Sequence, residues 1–106
     1  MKQIAQFEEL RVLPNGTKVM VFYRGNYTTI IVIETIPNSK SIVVLDNYNW
    51  SKPLLIGESY FTDSERVFIL ESSYNSKEAG ELMIKQITEY AEKEIENIKA
   101  IYFEKV

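Results

Sequence analysis

Near residues 72–76 the chain changes its hydrophobic period, and this switch constrains the fold more than any other feature of the sequence. Up to Leu70, β-branched and aromatic runs alternate with turn chemistry. From Asn75 onward, apolar residues recur at spacings of three and four. A chain written this way predicts strands first and a helix last, an α+β fold with an antiparallel meander of four to five strands and one long C-terminal helix. With 106 residues there is material for one hydrophobic core, so the expectation is one domain over 1–106, with strands within about 4–71 and the helix over about 76–103.

Turn signals divide the strand half. Pro14-Asn15-Gly16 joins a residue that fixes φ to two that tolerate positive φ, and Gly25-Asn26 is a two-residue hairpin signal. The expected strands are 18–24, 27–35, 41–46 and 66–71, with 7–13 as a fifth and 47–65 as a polar, aromatic connection. A turn at Gly25-Asn26 would pair Arg24 with Tyr27, Phe22 with Thr29 and Met20 with Ile31. Both faces of that hairpin are apolar, so the sheet is expected to be covered on both sides. The helix covers one side. Curling into a small barrel, or a second subunit, would have to cover the other.

The helical segment carries its own start signal: Asn75 or Ser76 is the expected N-cap, and with Asn75 in that place Glu78 falls at N3. Ile84, Ile87, Ala91, Ile95, Ile98 and Tyr102 form one stripe, and Met83, Tyr90 and Ile101 form a second row along its flank. A helix of this length runs roughly 40 Å at 1.5 Å per residue, whereas a seven-residue strand spans only about 23 Å. The overhang predicts a homo-oligomer, a dimer first, with Met83, Ile87, Tyr90, Ile98, Ile101 and Tyr102 at the seam.

The chain contains no Cys and no His. That excludes disulfide scaffolds, Cys/His zinc sites and every nucleophile activated by an imidazole. Carboxylates remain, and Asp63 with Glu65 is the best acid–base pair among them, with Asp46 and Glu58 near neighbouring strand ends. No EF-hand or phosphate-loop spacing occurs, so no metal and no cofactor are expected and the chain reads as a non-enzyme. The net charge is −3. Lys18, Arg24, Lys40, Lys52 and Arg66 do interleave with Tyr23, Tyr27, Tyr48 and Trp50, the mixture of a single-strand binder. Residues 1–73 nevertheless carry seven basic against eight acidic groups, and the acidic helix repels phosphate, so nucleic acid ranks last among the partners.

The segment richest in recognition chemistry joins Asn47, Tyr48, Asn49, Trp50 and Lys52 to Tyr60 and Phe61. Aromatic rings bring large contact area at low entropy cost, and the amides add donors and acceptors. The opening residues hold no apolar core of a secretory signal, and no apolar run exceeds five residues, Ile30-Ile31-Val32-Ile33 among them, so a cytoplasmic protein without membrane contact is expected. Thirteen Ile with abundant Lys, Glu and Asn suit a low-GC bacterium, or a phage or plasmid within one. The resulting expectation is a non-catalytic binding protein, an inhibitor or regulator acting on a host partner protein. The alternative is a small-molecule sequestering or sensing module for a nucleotide-like ligand, with an aromatic and Asn-lined pocket near a subunit interface.

Overall fold

The β-branched and aromatic runs pair into an antiparallel sheet whose strand order makes the chain return on itself. The computed structural model describes residues 1–36, 40–46 and 49–103, with 49–51 as backbone alone. In chain order the elements are β1 (Gln3–Ile4), α1 (Phe7–Arg11), β2 (Lys18–Tyr23), β3 (Asn26–Thr35), β4 (Ile42–Asp46), β5 (Asn49–Ile56), α2 (Glu58–Thr62), β6 (Arg66–Leu70) and α3 (Ser76–Tyr102). The six strands stand in the order β1-β6-β2-β3-β4-β5 and all neighbours are antiparallel. The architecture is α+β, and the sheet is open rather than closed into a barrel: β1 and β5 are its two edges.

Three expectations about the strands need correction. Residues 7–13 hold no strand; Phe7 and Leu10 lie three apart on the buried side of α1, with Glu8 and Glu9 outward, and the edge strand is Gln3–Ile4 instead. The connection over 47–65 contains β5 and α2. Pro53 argues against a central strand but is tolerated in β5, which has a neighbour on one side only. The hairpin turn lies at Arg24-Gly25, so Tyr23 pairs with Asn26, Phe22 with Tyr27 and Met20 with Thr29. Arg24 at φ 50° and Gly25 at φ 82° both occupy the left-handed region that the tightest hairpin turns require. The register therefore moves by two residues, and because two is the side-chain period of a strand, every residue keeps its expected face.

Both faces of the sheet are covered by the chain itself, each to a different extent. On one face Val19, Val21, Ile30, Val32, Ile42, Val44 and Phe68 pack beneath α1 and α2, which contribute Phe7, Leu10, Tyr60 and Phe61. On the other, Met20, Phe22 and Ile69 meet Ala79, Leu82 and Met83 from the first turns of α3. Burying each such large side chain contributes about 2 kcal/mol of transfer free energy. Asn75 caps α3, its Oδ1 accepting from the Glu78 N–H at 3.1 Å. Beyond Tyr90 every described residue of α3 is exposed, and the molecule's longest dimension is 54 Å. No helix among the described residues is long and apolar enough to cross a membrane.

Candidate functional site

Where β2 turns into β3, three segments distant in sequence bring a column of alternating rings and guanidiniums together. Tyr23 ends β2, Arg24 sits in the turn, Tyr60 lies on α2, Arg66 opens β6 and Tyr90 lies on α3. The Arg66 Cζ is 4.2 Å from the Tyr60 ring centroid and 5.0 Å from that of Tyr23. The Arg24 Cζ lies 4.9 Å from the Tyr23 centroid and 4.5 Å from that of Tyr90. All four separations are within the roughly 6 Å over which a ring face attracts a cation. The order Tyr60, Arg66, Tyr23, Arg24, Tyr90 thus wraps the end of the sheet from its α2 face to its α3 face.

Carboxylates and an amide hold the column in place. Arg24 Nε donates to Glu65 Oε2 at 2.8 Å, and Arg66 Nη1 donates to Asp63 Oδ2 at 2.9 Å and to the Tyr60 carbonyl at 3.3 Å. Asp63 Oδ1 also accepts from the Glu65 N–H, which closes a tight turn before β6. Gln86 pins α3 to this corner: its Nε2 donates to the carbonyls of Phe22 and Glu65, and its Oε1 accepts from the Gly25 N–H. Its hydrogen bond to the Glu65 carboxylate holds the Arg24 guanidinium above its ordinary pKa. Burial pushes the Tyr60 phenol up, with Arg66 pulling the other way.

A shallow cleft of about 200 Å³ opens on each side of the column. The first is lined by Arg24, Glu65, Gln86, Glu89, Tyr90 and Lys93, a surface of mixed charge. The second is lined by Tyr23, Asn26, Tyr27, Thr28, Tyr60 and Arg66, largely aromatic, and the Thr28 Oγ1 at its wall is buried without a hydrogen-bond partner. Sites for small organic ligands typically enclose about 300–1,000 Å³. Each cleft is sized for a protruding side chain.

The structure places the residues singled out from sequence as follows. Tyr60 belongs to the column. Phe61 turns inward, 4.7 Å from Phe68 and 5.8 Å from Phe7 between ring centroids, and Lys52 stands exposed on β5. Asn47 and Tyr48 lie outside the described residues, as do the side chains of Asn49 and Trp50. On α3, Met83 and Tyr90 point toward the sheet, half-buried, while Ile87, Ile98, Ile101 and Tyr102 are exposed. Asp63 and Glu65, the best acid–base pair in the sequence, are each engaged by a guanidinium. Among the described residues no group of three or more carboxylates is arranged to hold a metal ion.

Sequence reasoning missed Tyr23, Arg24, Arg66 and Tyr90 as a unit, because no local spacing links segments 24 to 42 residues apart. The one local trace is Asp63 three residues before Arg66. In comparisons with known proteins, the chain matches no family model, no curated protein and no solved structure, so its site is read from its own geometry.

Proposed function

We propose that this is a non-catalytic binding protein that engages a partner protein through the Tyr–Arg column, as an inhibitor or regulator of that partner. The column carries the reading. Tyr and Arg are among the residue types that dominate binding energy at protein interfaces, and here each arginine is paired with a carboxylate and set against two rings before any partner arrives. Arg24 takes a left-handed conformation uncommon for residues other than Gly, Asn and Asp, and strain of this kind concentrates at functional sites. The aromatic cleft suits an apolar or aromatic side chain of the partner, and the charged cleft beside Tyr90 suits polar groups at the rim.

The test is affinity capture from the source cells with the wild-type chain and with Arg24→Ala/Arg66→Ala, each variant checked for its native circular dichroism. A protein retained by the wild type and reduced at least about tenfold by the double variant supports the reading. Equal retention by both chains overturns it. Calorimetric titration with a panel of nucleotides forms the second arm. A micromolar nucleotide affinity lost in the double variant would replace the partner protein with the small-molecule reading.

A further inference from the structure

The overhanging half of α3 carries a pattern that reads the same in both directions. The residues that meet the sheet or its turn, Ala79, Leu82, Met83, Gln86 and Tyr90, share one side of the helix, and Ile87 touches Gly25 in the turn from the edge of that side. At 3.6 residues per turn, the stripe of Ile84, Ile87, Ala91, Ile95, Ile98 and Tyr102 lies roughly 100° around from it. That stripe is exposed: Ile84 by 68 %, Ile95 by 50 %, Ile98 by 49 % and Tyr102 by 74 %. Counting from Gly80, its members are spaced 4, 3, 4, 4, 3 and 4, a palindrome centred on Ala91. The second half also repeats the first at an interval of eleven residues, close enough to the natural helical period to keep the stripe nearly straight.

We infer that the chain pairs with a second copy of itself by laying α3 antiparallel on α3 about a two-fold axis at Ala91. A two-fold interface is self-complementary, so each residue must suit the one it meets. Here Ile84 meets Ile98, Ile87 meets Ile95, and Ala91 meets its own copy, where a small residue allows close approach. Tyr102, the largest member, meets Gly80, the smallest. A two-fold axis also brings each flank of the helix against the same flank of its copy, which sets Glu81 beside Lys99 on the polar side. The four isoleucines of the stripe and Tyr102 offer on the order of 500 Å² of largely apolar surface per protomer, against the roughly 800 Å² per partner of a standard stable interface, before any polar rim is added. The stripe is separate from the Tyr–Arg column, so this assembly stands or falls independently of the proposed partner.

Because the chain has no cysteine, one introduced thiol reports the register directly. Disulfides form only where Cα atoms come within about 7 Å. Ala91→Cys is expected to give a covalent dimer under mild oxidation. Ile84→Cys and Ile98→Cys should each remain uncrosslinked alone, their copies lying roughly 20 Å apart along the helices, and should crosslink when mixed. Sedimentation at micromolar concentration should show the wild type at twice the 12.4 kDa chain mass. Ile98→Lys lies beyond the sheet; it should leave the circular dichroism intact and raise the dissociation constant on the order of a hundredfold. A wild type at 12.4 kDa, a dimeric Ile98→Lys, or Ile84→Cys crosslinking alone as readily as Ala91→Cys would each overturn the inference.

Discussion

Replacing Gln86 with alanine should loosen the corner on which the candidate site is built, and the size of the loss follows from the hydrogen bonds it makes. The side chain donates at 3.3 Å to the Phe22 carbonyl and at 3.1 Å to the Glu65 carbonyl, and accepts at 3.4 Å from the Gly25 N–H. A net intramolecular hydrogen bond contributes about 1 kcal/mol, and these are long and only partly buried. Water can reach part of the vacated groups, so the three together are expected to contribute about 2 kcal/mol rather than three full bonds. For a chain of this size, with a urea slope near 1.5 kcal/mol per molar, the unfolding midpoint should fall by about 1 to 1.5 M. Thermal unfolding should begin roughly 10 °C lower. Wild type and variant must be compared at one protein concentration, since self-association would add to apparent stability. Gln86→Glu sharpens the test: it retains an acceptor for Gly25 but turns a carboxylate toward two carbonyls beside Glu65, and should cost at least as much as alanine. A midpoint shift under about 0.3 M for Gln86→Ala would refute the view that this residue fixes α3 to the sheet.

Gly25→Ala should cost about 2 kcal/mol or more, because φ is 82° and the new Cβ would collide with the Ile87 side chain; Gly16→Ala, at φ 88° with open space around it, should cost only about 1 kcal/mol. Equal urea midpoints for the two variants would contradict the close approach of α3 to the turn. Asn75→Ala removes the helix cap and should cost about 1 kcal/mol by the same assay, with Asn75→Asp close to wild type. Burial raises the Tyr60 phenol above its ordinary value near 10, so the folded chain keeps a proton that the unfolded chain releases. Its contribution is therefore complete below about pH 10 and is lost as pH rises through the raised value. Urea midpoints measured from pH 8 to pH 11 should decline less steeply for Tyr60→Phe than for the wild type, and parallel declines would contradict the assignment.

The parts of the fold legible in the sequence were those written in local periods. The switch near residue 72, the Asn75 cap with Glu78 and the faces of β2 and β3 all follow from spacing, and all are present. The turn was harder to place, because Asn26 is the better left-handed residue by intrinsic preference. The structure puts Arg24 there instead, where Glu65, Tyr23 and Tyr90 hold its side chain. Pro53 concealed β5, since whether a strand lies at an edge is a property of the whole sheet and not of eight residues. The column was invisible for the same reason: the pairing of β2 with β6 is what sets Tyr23 against Arg66.

That pairing also dictates an order of events during synthesis. β2 lies between β3, which follows it within a few residues, and β6, which is made about 40 residues later. At the usual 5–20 residues per second, β6 emerges roughly 2 to 8 s after β2, whereas a hairpin closes in microseconds. Throughout that interval the nascent β2–β3 hairpin presents one unpaired edge carrying Val19, Val21 and Phe22, a template to which any extended chain can add. The N-terminal β1 waits as well, since its neighbour in the sheet is also β6. Arg66–Leu70 is thus the segment that seals the sheet. A ribosome stalled before it leaves a chain with a formed hairpin and an open edge, and premature termination there should produce aggregates rather than a smaller folded protein.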